Sequence, residues 1–398
     1  MKRRKLHRCH SPSPTNTNGP LKPEVNEEPN AEEPQQQNDQ HAEEPYILQL
    51  PDYIIFEILS RIPITTMNRC RFVCKSWLRL FSDPSFTKTL CCRTPTSLVA
   101  VSSTPSRDYY LVGLDEASRP NGDVLELCSY SRECLDIIGS CNGFLFLYDS
   151  ALIDDHRLYL SNPITRERLA LPKYDGLNID TALGFGFSPA SNVYKVFVFK
   201  SEEQNGDFRD EYNEEEVVVL TVGSSVWRNI GKYSVYFGNT EYGFPFNGFL
   251  HWVGRPNNLV WGFDVERELF QQFPPLPLTS EDTILLDSSD SRLAALRASL
   301  CLIVTRGQNV SVWVMKDHGV KGSWNKEFEI LNESFDRYIP QLLKFTEGQV
   351  LLLRDTQLET HSPGKKGFSM VEVDGIPKKL YSGYVHIPSF ISLADIRG

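Results

Sequence analysis

The sequence predicts a mainly β protein with a small all-α module near its N-terminus and a disordered tail ahead of it. Three observations predict this. Residues 1–45 are rich in proline, asparagine, glutamine and glutamate and nearly devoid of large apolar side chains. Residues 46–92 carry apolar side chains at helical spacing. From residue 95 to 395, short runs dense in valine, phenylalanine and tyrosine are punctuated by glycine, asparagine and proline.

The tail comes first. A segment of that composition buries too little apolar surface to offset chain entropy, which predicts disorder. Lys2-Arg3-Arg4-Lys5 fits a nuclear import signal or a solvated basic end. No apolar stretch follows it, which argues against an ordinary secretory signal.

In the helical module, Pro51 suits a first helical turn, where its missing N–H costs nothing. Ile54, Ile55, Ile58, Leu59 and Ile62 draw one apolar stripe, and Pro63 closes the helix. Thr65 or Thr66 is placed to cap a second helix, along which Met67, Cys70, Val73, Cys74 and Trp77 again fall at 3–4 spacing. Asp83-Pro84 stops that run and can cap a further short helix. Chains of roughly 40 residues rarely build a stable core alone. The module is therefore expected to be half of an interface.

The β region offers strands at 144–148, 157–160, 194–199, 217–222, 249–253, 300–305, 310–315 and 349–353, with 291–298 ambiguous between helix and strand. A repeat runs through it. Asn142-Gly143-Phe144-Leu145 returns as Asn247-Gly248-Phe249-Leu250, 105 residues later, and Gly184-Phe185-Gly186-Phe187 lies between them. Asn162 to Glu167 ends in Leu171-Pro172, much as Phe263 to Glu268 ends in Phe273-Pro274. Trp227 and Trp324 are placed at the ends of similar strands. Units of roughly 50 residues, five or six of them, predict a β-propeller of kelch size, with a pair of β-sandwiches as the alternative.

Four sub-motifs carry a family resemblance: Leu50-Pro51, Ile58-Leu59-Ser60-Arg61-Ile62-Pro63, Val73-Cys74-Lys75-Ser76-Trp77 and Asp83-Pro84-Ser85-Phe86. Their order and spacing resemble the F-box of plant F-box proteins. Asn68 and Cys70 stand where leucine and phenylalanine are usual. Downstream, Cys141-Asn142-Gly143, Asn162-Pro163-Ile164-Thr165-Arg166 and Leu171-Pro172 resemble the F-box-associated, kelch-like domain of the same proteins. The resemblance implies an F-box at 46–92 that docks on a Skp-type adaptor and, through it, a cullin–RING ubiquitin ligase. It also implies a β-propeller at 95–395 that holds a target protein. The expected adaptor contacts are Leu50, Pro51, Ile54, Ile58, Leu59, Ile62, Val73 and Trp77, some of which must also hold the module together.

The rest of the chain narrows the classes. Fifty-one acidic against 41 basic residues leave a formal charge of −10, which argues against general nucleic-acid binding. No apolar run approaches the roughly 18 residues of a membrane span. Nine cysteines without a Cys-x-x-Cys pair point to a reducing compartment, the nucleus or cytoplasm, and not to a zinc or disulfide framework. No nucleophile elbow, zinc-protease or phosphate-loop pattern occurs, so no catalytic residue, cofactor or metal is expected.

Two stretches are candidates for holding a target. Ser201 to Glu216 carries eight acidic residues against Arg209 alone, Glu214 and Glu215 among them, and is either a solvated loop or a guide for a basic partner. Tyr233 to Trp252 concentrates aromatics, with Tyr236, Tyr242 and Phe244 as candidates and core packing as the alternative. The expected function is substrate recognition for a ubiquitin ligase. An adaptor-bound scaffold or sensor that degrades nothing is the alternative, and a propeller enzyme with an appended F-box is a third reading.

Overall fold

The computed structural model describes residues 46–59, 61–91, 94–104, 107–115, 119–127, 135–149, 156–177, 181–201, 215–234, 237, 242–254, 259–277, 291–331, 340–346 and 348–397. The disorder expected of residues 1–45 concerns a segment outside that set.

A 3-10 turn, Tyr46–Gln49, leads into four short helices: α1 (Asp52–Leu59), α2 (Ile64–Cys70), α3 (Lys75–Ser82) and α4 (Pro84–Cys91). Pro51 sits just ahead of α1, and its carbonyl accepts the N–H groups of Ile54 and Ile55 at 2.8 and 3.2 Å. Neither threonine caps α2. Pro63 occupies that position without a side-chain bond, and the Thr65 hydroxyl donates instead to Asp123, far along the chain. The stripe from Met67 to Trp77 is broken at 71–74 between α2 and α3, because the spacing alone does not register that break. Asp83 does cap α4. Its Oδ1 accepts the N–H groups of Ser85 and Phe86, each at 2.9 Å, a pattern that satisfies first-turn donors. The Ser85 hydroxyl leads the hydrogen bonds that hold the Asp83 carboxyl below the usual range.

The β region is a six-bladed propeller of four-stranded antiparallel sheets. The first blade orders β24 (Leu380–His386), β1 (Ser97–Ser102), β2 (Tyr109–Leu114) and β3 (Pro120–Glu126) from the centre outward. The second is β4 (Leu135–Cys141), β5 (Phe144–Asp149), β6 (Arg157–Asn162) and β7 (Glu167–Ala170). The third is β8 (Ala182–Ser188), β9 (Val193–Ser201), β10 (Glu215–Thr221) and β11 (Arg228–Tyr233). The fourth is β12 (Phe244–Phe246), β13 (Phe249–Gly254), β14 (Leu259–Asp264) and β15 (Leu269–Gln272). The fifth is β16 (Ser291–Leu296), β17 (Ser299–Arg306), β18 (Asn309–Met315) and β19 (Trp324–Leu331). The sixth is β20 (Gln341–Thr346), β21 (Gln349–Arg354), β22 (Gln357–His361) and β23 (Ser369–Met370). The ambiguous stretch 291–298 is thus a strand and a turn.

The ring closes by strand exchange between the chain's two ends. β24 pairs with β1, Ser97 opposite His386 and Val101 opposite Ser382, so the last strand supplies the inner edge of the first blade. Pairing with β24 covers the edge that β1 would otherwise expose, and closing the ring packs the first and last blades face to face, leaving only short outer edges.

The sequence repeat has a structural meaning. Asn142-Gly143 and Asn247-Gly248 are the tight turns between inner and second strands of blades two and four, with φ of 46° and 88°, and 49° and 78°. Both residues are left-handed, as the twist of a two-residue hairpin requires. Gly184-Phe185-Gly186-Phe187 is not such a turn but the inner strand β8. The tryptophans open their outer strands and do not end them. Trp227 Nε1–H donates to the Pro172 carbonyl at 2.9 Å, and Trp324 Nε1–H to that of Pro274 at 2.8 Å. Each latches one blade to the blade before it, and each accepting proline belongs to the repeated motif.

The antiparallel order sets two faces. The third-to-fourth turns of the blades, and the first-to-second turns of blades two to six, lie on one face, here the lower. The second-to-third turns and the blade-to-blade connections lie on the upper face. The helical module packs on the lower face. Leu59, Met67, Trp77, Phe81 and Leu90 share one core with Val99, Tyr109, Leu111, Ile137 and Leu147 of the first two blades. A module too short to bury itself is stabilised by its own propeller.

The C-terminal segment 387–397 straps this junction. Asn162, fully buried, donates from Nδ2 to the carbonyls of Ser389 and Ile391 at 2.9 and 2.8 Å. Its Oδ1 meanwhile accepts the N–H groups of Ile164 and Thr165. Glu167 accepts the Ser392 hydroxyl and the Leu393 N–H, both at 2.8 Å. Gly143 and Gly223 leave room for the strap. A Cβ on Gly143 would lie 2.1 Å from that of Ser389, and one on Gly223 1.9 Å from the Arg397 carbonyl oxygen. Phe390 then inserts between the strap and the helices, its ring 4.9 Å from Phe81 and 5.5 Å under the Arg71 guanidinium.

Candidate functional site

Two surfaces on opposite sides of the molecule are candidates. The first lies on the helical module. Its stripe splits by burial: Ile55, Leu59, Met67, Trp77 and Phe81 turn inward. Tyr46, Leu50, Tyr53, Ile58, Phe72, Val73 and Leu78 are exposed, from 37% at Leu50 to 79% at Tyr46. Pro51 is exposed, and Ile54 and Ile62 are half-buried, Ile62 packing on the core. Of the eight sequence candidates, Leu50, Pro51, Ile58 and Val73 therefore present open surface. Leu59 and Trp77, at 1% and 8%, lie in the core, because the inward side of the stripe is needed to dock the module on the propeller.

Tyr53, Phe72 and Leu78 add to this surface and escaped the sequence reading. Phe72 falls in the break at 71–74, which the helical spacing smoothed over, and Tyr53 lies outside the isoleucine stripe of α1. The neighbouring Arg71 is anchored under the module, reaching toward the Ile164 carbonyl at 3.5 Å. Burial pulls its guanidinium below the usual range against the opposing pull of Glu167.

The second surface is the upper face and the channel that opens on it. The inner strands surround a cavity of about 1390 Å³. Tyr381 stands at its upper end with the Arg107 guanidinium 4.8 Å above its ring, and Arg107 is paired with Asp136. Burial holds the Asp136 carboxyl above the usual range even with Arg107 beside it. Tyr384 lies deeper, donating its hydroxyl to the Ile137 carbonyl at 2.6 Å, and burial pushes that hydroxyl up to about 12. Tyr242, 38% exposed, lines the channel, and desolvation raises its phenol strongly. Phe244 is half-buried at the channel wall and packs against the core of blades four and five.

The remaining target candidates fare differently. Tyr236 and Glu214 lie outside the described residues. The Glu215 backbone opens β10, opposite Ser201 and Tyr233. Of the aromatic stretch, Phe237 and Trp252 are core, their rings stacked at 4.9 Å. Among the described aromatics of that stretch most pack within blades, and Tyr242 is exposed.

A pair of histidines lies near the lower face between blades four and five. His318 Nε2 and His251 Nε2 are 3.0 Å apart, with His251 Nδ1 3.3 Å from the Phe244 carbonyl and the pair walled by Phe246, Phe249 and Phe273. Burial, then His318, pulls His251 down to about 3. Among the described residues no group of three or more His, Cys, Asp or Glu side chains could hold a metal ion.

Comparison with known families places both parts. Residues 47–89 match the F-box domain and residues 90–349 the F-box associated beta propeller domain. The chain belongs to the plant F-box proteins with an F-box-associated propeller. An Arabidopsis thaliana F-box protein is 32% identical over 333 residues, covering 74% of each chain. An F-box/kelch-repeat protein of that plant is 25% identical over 304 residues, covering 71% of this chain and 79% of its own. The F-box protein CPR1, also from Arabidopsis thaliana, is 28% identical over 382 residues, covering 86% and 88%. The closing strand β24 and the strap lie beyond the stretch that matches the propeller family.

Proposed function

We propose that this F-box protein is the substrate-recognition subunit of an SCF-type cullin–RING ubiquitin ligase, working in the nucleus or cytoplasm without bond chemistry of its own. One observation carries the adaptor half. Of fifteen exposed large hydrophobic residues among those described, seven fall between Tyr46 and Leu78. Exposed apolar residues scattered singly are ordinary, whereas a concentration marks an interaction surface. The F-box spends its inward face on the propeller and leaves this outward face for a Skp-type adaptor. Four to seven anchors at roughly 1.5–3 kcal/mol gross each can overcome an association cost of about 4–15 kcal/mol.

The target half rests on geometry. The F-box lies beside blades one and two, near Ile164 and Phe390 at the lower face, and among the described residues it leaves the upper ends of the inner strands open to a second protein. Blade latches, the shared core and the strap make the connection between the two stiff. A stiff bridge holds a bound target at a set place relative to the adaptor, and tethering turns transfer into an effectively intramolecular event. Proximity labelling with the full chain and with a variant carrying Leu50→Ala, Pro51→Ala and Val73→Ser, which leaves the shared core intact, tests the reading. Targets labelled by both forms should accumulate under proteasome inhibition. Stable abundance of every such partner would favour the scaffold reading instead.

A further inference from the structure

Phe72 and Val73, two of the exposed residues of the adaptor face, lie in the stretch 71–74 between α2 and α3. No helical ladder holds the chain there. Turn bonds do part of that work: the Phe72 N–H donates to the Arg69 carbonyl at 3.0 Å and the Val73 N–H to the Cys70 carbonyl at 3.2 Å. Arg71 does the rest from beneath. Its guanidinium lies 5.6 Å from the centroid of the Phe72 ring and 5.5 Å from that of Phe390. It also reaches the Ile164 carbonyl at 3.5 Å. Its Nε is buried without a hydrogen-bond partner among the described residues, so the two rings carry much of what holds the group. A planar guanidinium stacks on rings in a way that an ammonium does not.

Phe390 is fixed from behind. The carbonyls on either side of it, those of Ser389 and Ile391, both accept from the Asn162 amide, and its ring packs 4.9 Å from Phe81 of α3. Ile164, whose carbonyl meets Arg71, donates its own N–H to the same Asn162 side chain at 2.9 Å. One residue of the second blade therefore secures both supports of Arg71. A continuous path of contacts runs from Asn162 through Phe390 and Arg71 to Phe72, from the propeller through the far end of the chain to the adaptor face.

We propose that Arg71 is a positioning residue of the adaptor site. Held between Phe390 and Phe72, it sets the Phe72–Val73 segment in the shape that the adaptor meets, and the C-terminal strap is thereby part of that site. A segment already held in its bound shape loses less freedom on association. The inference rests on the adaptor half of the proposed function and adds to it that the F-box binds at full strength only with the closed propeller behind it.

A double-mutant cycle on the full chain tests it, read by calorimetry against a purified Skp-type adaptor. Arg71→Lys keeps the charge and loses the plane, and should weaken binding by about tenfold. Phe390→Leu keeps an apolar side chain in the strap and should act in the same direction. Phe72→Ala should weaken binding by about tenfold or more. Arg71→Lys combined with Phe72→Ala should bind no more weakly than Phe72→Ala alone, because Arg71 acts through Phe72. Additive losses, or adaptor affinity in Arg71→Lys equal to the parent's, would overturn the proposal. Fluorine NMR of a fluorinated phenylalanine at position 72 gives a second measurement on the unbound chain. Its resonance should be displaced from that of the free amino acid and should move toward it in Arg71→Lys and in Phe390→Leu. A resonance unmoved by both substitutions would overturn the clamp whatever the calorimetry shows. A parent chain that binds no adaptor would remove the substrate-receptor reading instead, and the NMR result would still decide the clamp.

Discussion

Asn162→Asp isolates the strap from everything else in the fold. Blade four already carries the acid at the equivalent turn, where Asp264 Oδ1 accepts the N–H groups of Glu266 and Arg267 at 2.9 Å each. The local turn therefore tolerates aspartate. What aspartate lacks is the amide donor, and with it go the bonds to the Ser389 and Ile391 carbonyls. Two such bonds are worth about 1–3 kcal/mol net, and each buried acceptor left unmet adds about 1 kcal/mol or more. A carboxylate facing two carbonyls at a fully buried position adds desolvation on top. The expected loss is roughly 3–5 kcal/mol. Asp264→Asn is the control. It keeps both turn bonds and removes only an ion pair to the largely exposed Arg267, worth about 0.5 kcal/mol or less. Amide exchange is the assay. In N162D the Leu393 amide, held by Glu167, and the amides of α3 should lose protection, while β17 and β18 keep theirs. Unchanged protection of the strap and α3, relative to D264N, would refute the idea that Asn162 clamps the chain end beneath the F-box.

Other predictions concern stability. His251 and His386 are each held down to about 3, burial being the main cause at both sites. The unfolded chain takes up their protons from about 6.5 downward and the folded chain does not, so stability is full above that and falls toward pH 3, by about 2 kcal/mol per histidine at pH 5. Urea midpoints across that range check it, and a midpoint flat from pH 7 to 5 would contradict it. Trp324→Phe keeps most of the packing but loses the indole donor to Pro274, and should lower stability by about 1 kcal/mol in urea titration; no change would remove the latch. Glu268→Ala leaves Lys195, 9% exposed, without the carboxylate it shares with Arg228, and should cost roughly 3–5 kcal/mol in a thermal or urea melt, since the ammonium stays buried. Burial pushes the Glu268 carboxyl up, but Arg228 and Lys195 outweigh it and hold it low.

Much of the fold was legible because it is written locally. A two-residue hairpin needs left-handed backbone, and Asn-Gly announces it at 142–143 and 247–248. Apolar runs bounded by turns marked middle strands of blades two to six, β5, β6, β9, β10, β13, β17, β18 and β21, and none of blade one. What was not legible is long-range. Nothing in residues 380–386 marks them as partners of 97–102, since strand pairing across the whole chain leaves no local pattern. The strap was hidden for the same reason: Asn162 reads as a turn residue, and its second pair of bonds depends on where Ser389 and Ile391 arrive. In the F-box, periodicity marked which residues were apolar but not which side of the stripe would meet the propeller. Periodicity therefore groups Leu59 and Trp77 with Leu50 and Val73, although the first two are buried and the last two exposed. The polar lining of the channel collects Arg292, Lys344 and Trp252 from three different blades, which no single stretch of sequence brings together.

The proposed division of labour in the F-box gives its exposed side to the adaptor and its buried side to the propeller. Co-purification of a Skp-type adaptor with a variant carrying Leu50→Ala, Pro51→Ala and Val73→Ser tests this most directly. All three side chains are exposed, so folding stability should stay within about 1 kcal/mol of the parent. Adaptor capture should drop by about tenfold or more, as expected for losing apolar anchors. Undiminished capture by a variant that melts like the parent would contradict the claim.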